Sequence, residues 1–119
     1  MQIERLVRRH MRQCPSSIDV WCPGKGIVMF TGCSHAGVVN ASKHAVSLAP
    51  GMPLYAVMGG YHLADAEPQT ISDTVDDLKD LAPTMLMTGH CTGWRAKFKI
   101  QEQMPGRLVP SFVGSRYAL

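Results

Sequence analysis

The 119-residue sequence lacks the features that mark membrane, secreted and disulfide-rich proteins. No run approaches the ~18 apolar residues of a membrane span. The N-terminus has no apolar stretch of ~7 residues, which a secretory signal would need. The four cysteines form no C-x-x-C pair, a pattern that favours a reduced intracellular chain. We therefore expect no membrane partner and a cytoplasmic location.

Positive charge is scarce outside the start of the chain. Residues 1–12 carry four arginines and one acid, whereas the remaining residues carry eight bases and eight acids and are neutral overall. A neutral body argues against a nucleic-acid partner, because phosphate binding needs a basic face. We expect residues 1–18 to form a basic leader, flexible or helical, and residues 19–119 to form one domain. A mitochondrial targeting helix is the alternative for this leader.

What is present is an alternation of short apolar runs and helical patterns. The runs at residues 27–30, 54–58 and 85–87 predict strands, and residues 38–49 and 70–82 predict helices. Thr70 and Asp73 match a capping box at the start of the second helix. Leu108-Val109 and Phe112-Val113 are candidate edge strands. This order predicts an α/β domain with one small sheet. The strands are nearly pure apolar runs, which is typical of a sheet covered on both faces.

Each predicted strand runs into glycine and then a histidine: His35, His62 and His90. If the strands are parallel neighbours, these side chains emerge at the edge where α/β sheets bind ligands. Histidine is the commonest metal ligand, and zinc accepts nitrogen ligands in near-tetrahedral sets. The three histidines therefore predict a metal site. The alternative is that their equal spacing reflects only the usual length of a strand-helix unit.

Two cysteines lie next to these histidines. Cys33 is two residues before His35, and Cys91 follows His90. Either thiol could be a ligand or a nucleophile. We favour the simpler interpretation, in which both are small buried residues beside the site.

A serine nucleophile is a competing hypothesis. Ser34 lies between a predicted strand and a predicted helix, close to the pattern of a nucleophile elbow, and Asp65 and His90 follow in the order of an α/β-hydrolase triad. The pattern requires glycine where Ala36 stands, which weakens this hypothesis. It also leaves His62 unexplained.

Four segments in a familiar order carry a family resemblance. They are residues 31–40 (TGCSHAGVVN), 59–63 (GGYHL), 89–94 (GHCTGW) and 111–117 (SFVGSRY). Together they resemble the C-terminal half of a metallo-β-lactamase-fold hydrolase. More narrowly, they resemble the branch of the dihydropterin-ribofuranosyl-aminobenzene-phosphate synthases. The resemblance covers about residues 19–119.

The resemblance implies half of an αββα sandwich with a zinc site, or a site for another divalent metal, at the sheet edge. It implies that His35 and His90 are metal ligands and that His62 is a ligand or assists catalysis. Thr92 and Trp94 would support the site or form a substrate wall. Arg116 matches a family position without a role that we can derive.

One departure from the family affects the expected function. Such enzymes carry an H-x-H-x-D-H motif in their N-terminal half, and this sequence has none. We therefore expect a truncated or split family member with weak metal binding and little catalysis of its own. A small-molecule substrate is expected only if an N-terminal half completes the site. The uncovered sheet face would serve as a homodimer interface. A non-catalytic remnant or binding module, and a serine hydrolase using Ser34, are the alternative functions.

Overall fold

The computed structural model describes residues 17–119, so the predicted basic leader lies almost entirely outside the described residues. The strands are β1 (Ser17–Cys22), β2 (Gly26–Thr31), β3 (Leu54–Gly59), β4 (Met85–Thr88) and β5 (Leu108–Pro110). The helices are α1 (Val38–Leu48), α2 (Pro68–Leu81) and α3 (Trp94–Gln103), and a 3-10 turn spans His90–Thr92.

The five strands form one sheet in chain order, β1-β2-β3-β4-β5. β1 is antiparallel to β2, whereas β2, β3, β4 and β5 pair in parallel. The predicted α/β class is confirmed, and the three predicted strands are the centre of the sheet. Because these strands are parallel neighbours, their carboxyl ends lie at the same edge.

The helices cover one face of this sheet. Met29, Val57 and Leu86, one from each central strand, belong to a single buried cluster with Val75 of α2 and Ile100 of α3. All five side chains are fully buried. Burying a side chain of this size is worth roughly 1.5–3 kcal/mol. This layer therefore holds the three central strands in place.

The opposite face of the sheet is only partly covered. Its smaller cluster contains Val28, Ala56 and Met87, with Tyr117 of the C-terminal segment packed against it. None of the residues in this cluster belongs to a helix. Phe30 lies two residues after Val28 in β2, on the same face of the sheet, and is 37% exposed. The prediction that both faces are covered therefore holds for one face, and the expected homodimer remains a prediction.

Two local expectations were wrong, and a third is confirmed. α2 begins at Pro68 rather than at Thr70, and its N-cap residue, Glu67, makes no side-chain cap hydrogen bond. Proline at the first helical position needs no N–H partner and already has helical φ, which explains this start. Phe112-Val113 forms no strand and is exposed. Leu108-Val109 does pair with β4, as expected.

The sequence interpretation missed one strand and one helix. β1 begins at Ser17, two residues before the predicted start of the domain, and it pairs with β2 through a tight turn in which Lys25 N–H donates to the Cys22 carbonyl at 3.0 Å. The Pro-Gly pair inside this turn is a hairpin signal. α3 buries Ala96 and Ile100, four residues apart, whereas its Trp94 and Phe98 are exposed and its other residues are charged or polar. That weak apolar pattern explains why the helix was not predicted.

Two backbones come very close where β3 ends. Gly59 has φ +139°, and a Cβ there would overlap the carbonyl oxygen of Thr31 at the end of β2. Only glycine tolerates both this conformation and this approach. The ends of β2 and β3 therefore lie side by side.

Within residues 17–119, none of the helices has the length and apolar composition needed to cross a bilayer.

We expect Thr88→Val to stabilise the protein by about 1 kcal/mol. The Thr88 hydroxyl is fully buried and has no hydrogen-bond partner among the described residues, so its removal relieves a desolvation cost while the shape is kept. The matched control is Thr31→Val, because Thr31 Oγ1 lies 2.8 Å from Ser34 Oγ and its loss leaves that buried hydroxyl unpaired. Urea unfolding should show opposite signs for the two variants. Destabilisation by Thr88→Val would contradict the conclusion that the Thr88 hydroxyl makes no hydrogen bond.

Candidate metal centre

The segments after the three central strands are hydrogen-bonded to one another. Gly60 N–H donates to the Gly32 carbonyl at 2.8 Å, and Gly89 N–H donates to the Gly59 carbonyl at 2.8 Å. These bonds continue the parallel pairing beyond the strands. The residues that follow, including the three predicted histidines, are therefore brought to a common edge of the sheet.

His35 and His62 lie against each other at this edge. Their ring centroids are 4.3 Å apart, with 36° between the ring planes, and both side chains are exposed. Two residues of this region have positive φ without being glycine: Ser34 at 57° and His62 at 52°. Such backbone conformations cost of order 1–3 kcal/mol and cluster at functional sites. The turns that present the two rings are therefore held in place by their surroundings.

His90 lies with two thiols rather than in a compact set with the other two histidines. Its Nε2 is 2.9 Å from Cys33 Sγ, and the ligand atoms of Cys33, His90 and Cys91 all lie within 4.8 Å of one another. Within the described residues, this is the one group of three or more potential ligands that meets this distance. His35 and His62 are not members of it.

The two groups of side chains are neighbours. His62 N–H donates to Cys91 Sγ at 3.2 Å, and Cys91 Sγ lies 3.5 Å from the Cys33 carbonyl oxygen, so His62 adjoins the thiols through its own backbone. Burial raises the pKa of the Cys33 thiol, and the hydrogen bond and charge of Cys91 raise it further. The edge thus holds three imidazoles and two thiols.

Thr92 and Tyr61 support the loop that carries His62. Both are buried, and Thr92 Oγ1 accepts a hydrogen bond from Tyr61 N–H at 3.2 Å. The Tyr61 hydroxyl donates to the Val57 carbonyl at 2.9 Å, and burial raises the pKa of Tyr61 far above its usual value. Thr92 therefore contacts protein rather than solvent. Trp94, by contrast, is 77% exposed at the start of α3.

Ser34 does not have the surroundings of a catalytic serine. Its side chain is buried, and its hydroxyl pairs with the Thr31 hydroxyl at 2.8 Å. The positive φ of Ser34 is one feature of a nucleophile elbow, but in an elbow the hydroxyl is exposed and faces a histidine base. The position of Ser34 is better explained as support for the turn that carries His35.

A groove lies beside the two histidine rings. Its volume is about 380 Å³, and it is lined by residues of α1 and α2 together with His35 and His62. Lys43 and Asp77 face each other across it at 4.0 Å, and both are exposed. A small polar molecule would fit this groove with the imidazoles as one wall.

The residues at this edge fit a divalent metal. Imidazole nitrogen and thiolate sulfur are the ligand types that zinc prefers. Gly60 also makes room for them: a Cβ there would lie 2.5 Å from Cys91 Sγ and 2.8 Å from His90 Cε1. The sequence interpretation set aside Cys33 and Cys91 as ligands. The sequence did contain a signal for them: each cysteine lies within two residues of a histidine in a segment that follows a strand.

Comparisons with known proteins agree with this architecture. No family model matches the sequence. A 7,8-dihydropterin-6-methyl-4-(beta-D-ribofuranosyl)-aminobenzene-5'-phosphate synthase from Methanocaldococcus jannaschii is 39% identical over 79 residues, which cover 66% of this chain and 27% of that protein. An uncharacterized protein from the same organism is 32% identical over 84 residues, covering 71% of this chain and 31% of that protein. The chain thus spans about a third or less of the curated relatives it matches.

A solved structure shares the fold. A metal-dependent hydrolase of the β-lactamase superfamily superposes with a TM-score of 0.78 and 25% sequence identity, over 87% of this chain and 40% of that chain. The sequence similarity and the shared fold come from different comparisons and confirm the resemblance drawn from the four motifs. The dihydropterin-ribofuranosyl-aminobenzene-phosphate synthase is therefore a homologue of this chain, and the chain matches a partial domain of the metallo-β-lactamase-superfamily fold.

Proposed function

We propose that this chain forms part of the metal centre of a metal-dependent hydrolase that acts on a small molecule. In this proposal His35, His62 and His90 are ligands of a zinc ion. The observation that supports it is the placement of each histidine two to four residues after the end of one of three parallel neighbouring strands, with the His35 and His62 rings 4.3 Å apart. Three protein ligands and one open position are what a catalytic zinc site requires.

A bound zinc ion supplies Lewis acidity toward an ester or phosphoester group and lowers the pKa of water. The chain's own residues hold the ion and orient the substrate. His35 and His62 form one wall of the 380 Å³ groove, so a substrate in this groove would lie against the ligands. The alternative role of His62 is proton transfer from its exposed ring instead of coordination. The exposed Trp94 ring is a candidate substrate wall, as the resemblance implies.

We infer that efficient turnover needs further groups. The sequence has no H-x-H-x-D-H motif, and the chain matches 40% of the related hydrolase structure. The partly covered sheet face, with Phe30 exposed, would pack against a second sheet that brings these groups. The alternative is that the chain is a binding module without catalysis. In that case the metal-bound chain would show no turnover.

We expect His35→Ala and His90→Ala each to weaken zinc binding at least about 10-fold, because each removes a ligand. Equilibrium dialysis of the full chain under reducing conditions, against a zinc indicator of known affinity, measures this. His44→Gln is the matched control, since His44 lies on α1 outside the cluster, and it should bind zinc like the wild type. Unchanged zinc affinity in His35→Ala would overturn the assignment of the three histidines.

Hydrolysis of bis(p-nitrophenyl) phosphate should depend on metal rather than on Ser34. We expect the zinc-loaded chain to hydrolyse this ester slowly, to lose that activity with EDTA and to regain it with added zinc. Ser34→Ala should retain it, because the Ser34 hydroxyl pairs with Thr31. Activity that survives EDTA but disappears in Ser34→Ala would instead support a serine hydrolase. Zinc binding without turnover above buffer would support the binding module.

A further inference from the structure

Two cysteines that are distant in the sequence meet beside His90. Cys33 follows β2, and Cys91 lies in the 3-10 turn after β4, 58 residues later. Their sulfur atoms and a ring nitrogen of His90 all lie within 4.8 Å of one another. Parallel pairing of β2 with β3, and of β3 with β4, brings the two cysteines to one edge of the sheet. The cluster is therefore a product of the fold.

The space around these three side chains depends on Gly60. A Cβ at residue 60 would approach Cys91 Sγ to 2.5 Å and His90 Cε1 to 2.8 Å, closer than van der Waals contact allows. Gly32 also follows a strand, but a Cβ there would meet nothing within 4 Å. The two glycines therefore differ in what they do. Gly60 keeps room for the cluster, and Gly32 does not.

Backbone groups of two other segments fix the position of the Cys91 sulfur. His62 N–H donates to Cys91 Sγ at 3.2 Å, and Cys91 Sγ lies 3.5 Å from the Cys33 carbonyl oxygen. Hydrogen bonds of this kind to metal ligands orient them and tune the site. His90 is exposed, so the cluster is open to solvent on that side.

We propose that Cys33, His90 and Cys91 form a Cys2His donor set for a divalent ion of zinc type, with the fourth position open to solvent. This rests on the metal centre of the proposed function and keeps His90 as a ligand, but it places the two thiols beside His90 instead of His35 and His62. Binding replaces two S–H bonds by two metal–sulfur bonds, and both protons pass to buffer. Thiolate donors select zinc and cobalt over magnesium and manganese.

The observed distances are close to those that a metal would impose. Zinc–sulfur bonds of ~2.3 Å and zinc–nitrogen bonds of ~2.1 Å place tetrahedral donors about 3.6 Å apart. The Cys33 Sγ to His90 Nε2 distance is 2.9 Å, so the side chains need to separate by well under one ångström. A small rotation of the exposed His90 ring would supply this separation.

Cobalt titration of the full 119-residue chain, under anaerobic and reducing conditions, tests the proposal. Cobalt bound by thiolate gives an intense near-ultraviolet charge-transfer band that histidine ligands do not produce. We expect this band in the wild type, and we expect Cys33→Ser and Cys91→Ser each to reduce it and to weaken binding at least about 10-fold. Cys22→Ser is the control, because Cys22 lies on β1 outside the cluster, and Cys14→Ser controls for the cysteine outside the described residues. Both controls should keep the band.

A second pair of variants tests the geometry without removing a ligand. Gly60→Ala should abolish or shift the band, whereas Gly32→Ala should leave it unchanged, because only the first places a methyl group against Cys91 and His90. Circular dichroism of both variants establishes that they are folded. A wild-type band that persists unchanged in Cys33→Ser or Cys91→Ser would overturn the proposal.

The result also separates this proposal from the proposed function. If cobalt binds without a thiolate band, and binding is lost in His35→Ala or His62→Ala, the Cys2His set is wrong and the three-histidine site stands. If the band is present and neither histidine variant changes it, the Cys2His set stands and the three-histidine site is wrong.

Discussion

The parallel pairing of β2, β3 and β4 is the constraint on which the candidate site depends. It continues past the strands through two backbone hydrogen bonds, from Gly60 N–H to the Gly32 carbonyl and from Gly89 N–H to the Gly59 carbonyl. At the end of β3 the backbones approach so closely that Gly59 has no room for a side chain. The residues that follow these glycines therefore lie at one edge of the sheet. Residues from three separate parts of the chain become neighbours for this reason.

The edge of the sheet carries thiol groups as well as imidazoles. The His35 and His62 rings contact each other and face a groove, whereas His90 contacts Cys33 and adjoins Cys91. Imidazole and thiolate both suit zinc, but thiolate narrows the choice of metal. The two groups are joined by the hydrogen bond from His62 N–H to Cys91 Sγ. A substitution in the His35–His62 pair would therefore alter the position of the Cys33–His90–Cys91 cluster, and the reverse, because the loop that carries His62 contacts both.

The two faces of the sheet are stabilised in different ways. One face packs against the helices through a large apolar cluster. The other face carries a small cluster of strand residues, against which Tyr117 packs. The related hydrolase structure shares the fold over 87% of this chain, which is 40% of its own length. The uneven cover agrees with a partial domain of the metallo-β-lactamase superfamily. An apolar face of this kind gains free energy when another apolar surface packs on it.

Local patterns by themselves determined the three central strands, the first two helices and the position of each histidine after a strand, because these follow from apolar runs, glycines and spacing within about ten residues. They did not determine α3, in which only Ala96 and Ile100 are buried, or the start of α2, where Pro68 rather than Thr70 begins the helix. Only the tertiary structure decided which donors meet. The contact between Cys33 and His90 joins residues 57 positions apart. Such a contact depends on strand order, register and the room left at Gly60, and none of these is a local property of the chain.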